Sequence, residues 1–116
     1  MNKMSKALQL FLDYLRYQKQ YSPLTCENYE RDLLTWLAFL KDQSSAEVQQ
    51  EQVRQWLAQL HSRGLSEKSL QRKLSSLRSF FKYLLKENIC QNNPTIGVKA
   101  PKAPRLLPKA PDVDTT

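Results

Sequence analysis

Between Gly64 and Lys86 the chain sets Lys68, Arg72, Ser75, Ser79, Lys82 and Lys86 along one polar helix face, with no carboxylate from Lys68 to Lys86. Ammonium, guanidinium and hydroxyl groups in such a row are donors for phosphate oxygens and base edges. An ordinary solvated face mixes Glu with Lys at i,i+4, and this one does not. Serine adds a hydroxyl and lets the backbone come close to a partner. Thr25, Asn28 and Arg31 make a second, weaker row at i, i+3 and i+6, partly countered by Glu27 and Glu30. Taken alone, that row reads more readily as a set of polar residues on a wet face than as a binding row.

Catalytic constellations are not apparent. There are no paired carboxylates in an apolar context and no Gly-rich phosphate loop. His61 is the sole histidine, with no cysteine or carboxylate at ligand spacing, and reads as a helix-end surface residue. Tyr14, Tyr17, Tyr21, Tyr29 and Tyr83 leave a tyrosine nucleophile open by composition, but none lies in a histidine and arginine cluster that could activate it. Cys26 and Cys90 lack CxxC or Cys/His spacing, so neither a zinc site nor a disulfide is expected. The chain is expected to bind and not to catalyse, with no metal and no cofactor.

The elements that must hold these rows are helices. Two glycines in 116 residues, few β-branched residues and repeated 3.6-residue periodicity define an all-α chain. A first helix is expected from an N-cap at Ser5 to Lys19, with Met4, Leu8, Phe11, Leu12 and Leu15 inward and Leu10, Tyr14 and Tyr17 on the other face. Ser22-Pro23 opens a second, running to about Lys41 on Cys26, Tyr29, Leu33, Trp36, Leu37 and Leu40. After a polar loop over 42–50, a third spans about Glu51 to Ser62 on Val53, Trp56, Leu57 and Leu60, and Gly64 ends it. Ser66 caps the fourth, which reaches about Glu87 or Asn88. Its Leu70, Leu74, Leu77, Phe81 and Leu84 share a sector of about 80°.

The packed domain is expected over 1–94. Beyond Asn93-Pro94, the prolines at 101, 104, 108 and 111 alternate with Lys99, Lys102, Arg105 and Lys109, as in an extended basic exit over 95–116 leading to a further domain. The net charge of +7 is spread through the helical segments and favours polyanionic partners, nucleic acid before acidic protein or membrane surface. No run approaches the roughly 18 apolar residues of a membrane span, and residues 1–6 lack a signal-peptide layout, so a cytoplasmic protein is expected.

S-P-L-T-x-x-N-Y-x-R-D-L at 22–33, G-L-S-x-K-S-L-x-R-K-L-S-S-L-R-S-F-F at 64–81, N-P at 93–94 and P-K-A-P-R-x-L-P-K at 101–109 resemble the amino-terminal core-binding domain of bacterial Xer tyrosine recombinases, most closely the XerC type. The resemblance implies a SAM-like four-helix domain with a Pro-rich exit, forming one half of a clamp around double-stranded DNA. It implies that the second and fourth helices cross the major groove, with Thr25, Asn28, Arg31, Lys68, Ser69, Arg72, Lys73 and Ser76 as contacts. On the helical wheel Lys68, Arg72 and Arg31 face outward, Ser69, Lys73 and Ser76 lie toward the flank, and Arg78 points away, toward packing or a neighbouring protomer.

For the intact protein the resemblance implies DNA cleavage by a tyrosine, a 3′-phosphotyrosyl link and strand exchange without metal or high-energy cofactor. All catalytic residues would lie beyond Thr116. It further implies a heterotetramer with a sister Xer recombinase, a septal DNA translocase as partner, and resolution of chromosome dimers at cell division. Two rivals are a helical protein-interaction module using the Tyr14 and Tyr17 face, and a helix-turn-helix repressor. The second ranks lower because no dimerisation segment accompanies the Arg63-Gly64-Leu65 turn.

Overall fold

The computed structural model describes residues 3–40 and 48–100, with side chains from Ser5 onward. Four α-helices and no strand occur among them: α1 (Lys3–Asp13), α2 (Pro23–Leu40), α3 (Gln50–Ser62) and α4 (Glu67–Lys86). Residues 41–47, which take in Lys41 and most of the loop expected over 42–50, and the proline-rich run from 101 lie outside the described residues, as does the side chain of Met4.

Most helix ends follow local chemistry. Ser22 Oγ accepts the Thr25 N–H at 3.2 Å, and Pro23 takes the first helical position, where a missing N–H costs nothing. Ser66 Oγ accepts the Ser69 N–H at 3.2 Å. Gly64 has φ +95°, and Leu65 N–H closes on Leu60 C=O at 3.3 Å. α3 starts at Gln50, one residue before the expected Glu51, because Gln52 Oε1 accepts the Gln49 N–H at 2.7 Å. α4 stops at Lys86. Asn88 then adopts φ +60°, in place of glycine, while Ile89 N–H bonds Leu84 C=O at 2.8 Å.

The first helix departs most from expectation. It begins at Lys3, so Ser5 lies inside it and is not its N-cap; Lys3 and Met4 are good helix formers that extend the first turn. At its other end, Tyr14–Gln18 form a π-helical turn closed by Lys19 N–H on Tyr14 C=O at 3.1 Å. Tyr14 turns in against Phe11 and Tyr83, with ring centroids 6.4 and 4.8 Å apart, while Leu10 and Tyr17 remain exposed. Gln20 leaves the turn at φ +56°, and Tyr21 N–H bonds back to Leu15 C=O.

α4 is the central element and packs on α1, α2 and α3. Its Leu70, Leu74, Leu77, Phe80, Phe81 and Leu84 are buried, as the apolar stripe requires. Phe11 touches Tyr29, Phe80 and Tyr83 around one end of the core, and Trp36 meets Trp56 edge-on at 5.2 Å around the other. Cys26 and Cys90 are free thiols in the core; burial pushes the Cys90 thiol pKa up, against a bond to the Asn92 carbonyl.

Residues 95–100, expected in the extended exit, pack onto the helices. Asn93 Oδ1 receives the Thr95 N–H at 2.9 Å, and Thr95 and Val98 are buried. Gln50 Nε2 donates to Ile96 C=O, and Arg78 Nη2 donates to Val98 C=O at 2.7 Å. Arg78, expected to serve packing or a neighbouring protomer, thus holds the segment after α4 against that helix.

Candidate nucleic-acid interface

The site is organised by a residue that sequence reasoning passed over. Asp32 sits on the inner side of α2 at 1% exposure, between Arg31, which is exposed, and Leu33, which is buried. A lone carboxylate there would be costly, and α4 supplies its partners. Arg72 Nε lies 3.3 Å from Oδ2 and Arg72 Nη2 3.0 Å from Oδ1. Lys73 Nζ donates to Oδ1 at 3.0 Å, and Ser76 Oγ to Oδ2 at 2.9 Å. Burial draws the Asp32 pKa upward, but bonds from Arg72, Lys73 and Ser76, with the Lys73 charge, outweigh it and hold the carboxyl below the usual carboxylate range.

This pairing fixes how the two rows meet. Asp32 faces Arg72, Lys73 and Ser76, while Tyr29, one turn earlier on α2, lines a cleft with Ser79 and Lys82, one to two turns later on α4. The helices therefore run antiparallel, and the Thr25–Asn28–Arg31 row lies beside the basic row of α4. One carboxylate against two cations leaves a net positive charge. Lys73 is 10% exposed at its side chain and Arg72 52%, so that charge is presented by Arg72. With one edge of its fork bonded to Asp32, the guanidinium keeps its Nη1 donors directed elsewhere.

The eight expected contact residues divide on this geometry. Arg31 and Lys68 are exposed and make no ion pair among the described residues; Asn28, one turn before Asp32 on α2, is half-buried. Thr25 shares a 2.9 Å hydroxyl bond with Ser22, and Ser69 one of 3.1 Å with Ser66, so both belong to helix caps at the face's edges. Arg72 is outermost in the Asp32 cluster. Lys73 and Ser76, expected as contacts on the flank of the helix, are both buried and bonded to Asp32, because a buried carboxylate needs those donors more than a wet face does. The available signal was Asp32 itself, a carboxylate beside the apolar stripe of α2 facing an R-K-x-x-S phrase whose Lys and Ser fall on the flank of α4.

Other chemistry is sparse. No group of three or more His, Cys, Asp or Glu is placed to hold a metal ion among the described residues, and no described helix is long and apolar enough to cross a membrane. His61 is exposed at the end of α3.

A four-helix body whose central helix joins a neighbour in a cationic face, preset by a buried carboxylate, defines a small helical domain suited to a polyanion. The chain belongs to the phage integrase N-terminal SAM-like domain family, whose model matches residues 8–88. It is 40% identical over 114 residues to a tyrosine recombinase XerC of Pseudomonas putida strain F1, covering 96% of this chain and 38% of that protein. It is 39% identical over 109 residues to the XerC of Alcanivorax borkumensis, covering 94% and 36%, and 41% identical over 116 residues to that of Pseudomonas savastanoi pv. phaseolicola, covering 97% and 39%. The chain thus spans somewhat over a third of the length of these relatives. No solved structure matches it.

Proposed function

We propose that this chain is the DNA-binding arm of a tyrosine site-specific recombinase of the XerC type, with α2 and α4 seated together in a major groove. The observation that carries the reading is the Arg72 guanidinium, held by Asp32 at the outer edge of a buried cluster with part of its donor fork unused. A preset planar fork suits bidentate recognition of a guanine edge or a phosphate. Arg31 and Lys68 supply neighbouring charge, and Thr25, Asn28 and Ser69 supply shorter donors. Lys73 and Ser76 act through Asp32, as positioning residues for Arg72.

On this reading, residues 1–100 grip DNA and 101–116 lead toward the part that cuts and rejoins it through a 3′-phosphotyrosyl link. The catalytic residues lie outside this chain. A sister Xer recombinase and a septal translocase would act on the intact protein, in resolving chromosome dimers in the cytoplasm.

The test is a salt titration of duplex binding. About four to six phosphate contacts give a log–log slope of roughly −4 to −5. Arg72→Ala should weaken binding to a cognate site by about 1–3 kcal/mol if Arg72 reads a base, and evenly across sequences if it meets only phosphate. Salt-independent binding would count against the reading. The exposed Leu10 and Tyr17 favour a second one, a protein-interaction module; cross-linking to a protein with no duplex shift at any salt would support it.

A further inference from the structure

The basic face does not end where the Asp32 cluster does. Ser79, Lys82 and Lys86 continue it along α4, and there it opens into a cleft of about 450 Å³, walled by Tyr14, Tyr21, Tyr29 and Tyr83 and rimmed by Lys19, Lys82 and Lys86. Lys86 Nζ stands 5.0 Å from the centroid of the Tyr14 ring and Lys19 Nζ 6.0 Å from it. None of the three lysines has a carboxylate partner among the described residues, and no acidic side chain lines the cleft. Asp13 and Glu87 are felt electrostatically at the Tyr83 hydroxyl without lining it.

The shape of this cleft is built, not left over. Its wall includes the π-helical turn at Tyr14–Gln18, and Gln20 holds a left-handed backbone at φ +56° that lets the chain double back through the Tyr21 to Leu15 bond. Turns and strain of this kind cost free energy and concentrate at functional positions. The chemistry combines unpaired ammonium groups with partly exposed aromatic rings. Lysines resting on a ring face are weakly held and can transfer to an anion that comes close.

We propose that this cleft is a second nucleotide site, which takes one unpaired nucleotide of a DNA strand whose duplex lies on the Arg72 face. The phosphate would rest among Lys19, Lys82 and Lys86, and the base would stack at the Tyr21 and Tyr14 rings. The volume falls in the range of small-molecule clefts, and an unstacked base offers the flat apolar surface that tyrosines hold. Duplex backbone alone would use the lysines and leave the rings without a partner. Arg72 and Lys86 are about 21 Å apart along α4, so a continuous strand reaches the cleft roughly six nucleotides from the Arg72 contact. The inference rests on the DNA-binding reading and adds a requirement for unpaired DNA at one end of the face.

The experiment compares the full 116-residue chain on a blunt duplex, on the same duplex with an unpaired extension at one end, and on the extension alone. Lys82→Gln/Lys86→Gln and Tyr21→Ala are assayed in parallel, with melting curves to confirm folding. The extension should tighten wild-type binding about fivefold or more, the lower value for one stacked base. The double lysine variant should lose that gain on top of the charge-dependent weakening it shows on blunt duplex, and Tyr21→Ala should lose most of the gain while retaining Arg72-dependent binding to blunt duplex. Absence of a gain in the wild type would overturn the inference. So would an equal loss on blunt and extended duplexes in the lysine variant, or a gain unchanged by either variant. Failure to bind blunt duplex at all would instead remove the DNA-binding reading, and the extension alone would still report on the cleft.

Discussion

Asp32 carries the greatest consequence per residue. Asp32→Ala would leave Lys73 buried without its counter-charge, whereas Arg72, half in solvent, can be hydrated. Removing one partner of a buried pair costs about 3–5 kcal/mol, and urea denaturation should show a loss of that order. The folded-state pKa of Asp32 is depressed, so its contribution is complete above the ordinary carboxylate value of about 3.9 and is lost as pH falls through the lower folded value. Wild-type melting temperature should therefore drop in that acid window, and the Asp32→Asn variant should show a shallower drop from a lower starting point. Equal slopes would mean that other carboxylates govern acid unfolding. Asp32 was hard to read from sequence because its neighbours disguise it: R-D-L looks like one more charged pair on a wet face. Only pairing in space with Arg72, Lys73 and Ser76, some forty positions later, shows that the carboxylate points in.

Helix boundaries were legible where a side chain or glycine marks them, and less so where backbone geometry alone does. Ser22, Gly64 and Ser66 act as their types suggest, since each satisfies or frees a particular backbone group. The π-helical turn had no sequence mark, and neither Gln20 nor Asn88 is the glycine that a left-handed residue usually requires. The marked ends yield a comparison. Ser66→Ala removes the acceptor for Ser69 N–H at the head of α4 and should cost about 1 kcal/mol. Gly64→Ala should cost about as much for another reason, because a Cβ there meets nothing within 4 Å and the penalty comes from φ +95° alone. Thermal unfolding should show both losses. Gly64→Asn, with a side chain that tolerates left-handed angles better than alanine, should be the milder change at that position; a loss equal to that of Gly64→Ala would mean that the turn is limited by crowding.

At the scale of the whole molecule, the all-α architecture and the four inward stripes were available from periodicity, but the extent of the packed body was not. Composition suggested that packing ends near Pro94, because proline and lysine dominate the remainder of the chain. The structure carries it to Ala100 through contacts between parts distant in sequence: Arg78 to Val98, Gln50 to Ile96, and Val98 itself at 1% exposure. These tie the exit to both α3 and α4, so the direction in which the chain leaves is set by the helix that bears Arg72. Val98→Asp places a charge without a partner in that seam, and a buried, unpaired carboxylate is either expelled or protonated. Expulsion would peel residues 95–100 from the body and leave the helices packed. The expected result is rapid proteolytic cleavage within 95–100, a modest fall in melting temperature and an unchanged salt slope on short blunt duplex, since no residue of the basic row moves. Arg78→Ala should produce the same cleavage pattern more weakly, by removing one bond to the Val98 carbonyl. Global unfolding in Val98→Asp alone would show that the seam belongs to the core itself; protection equal to wild type in both variants would show that the exit is held by other contacts.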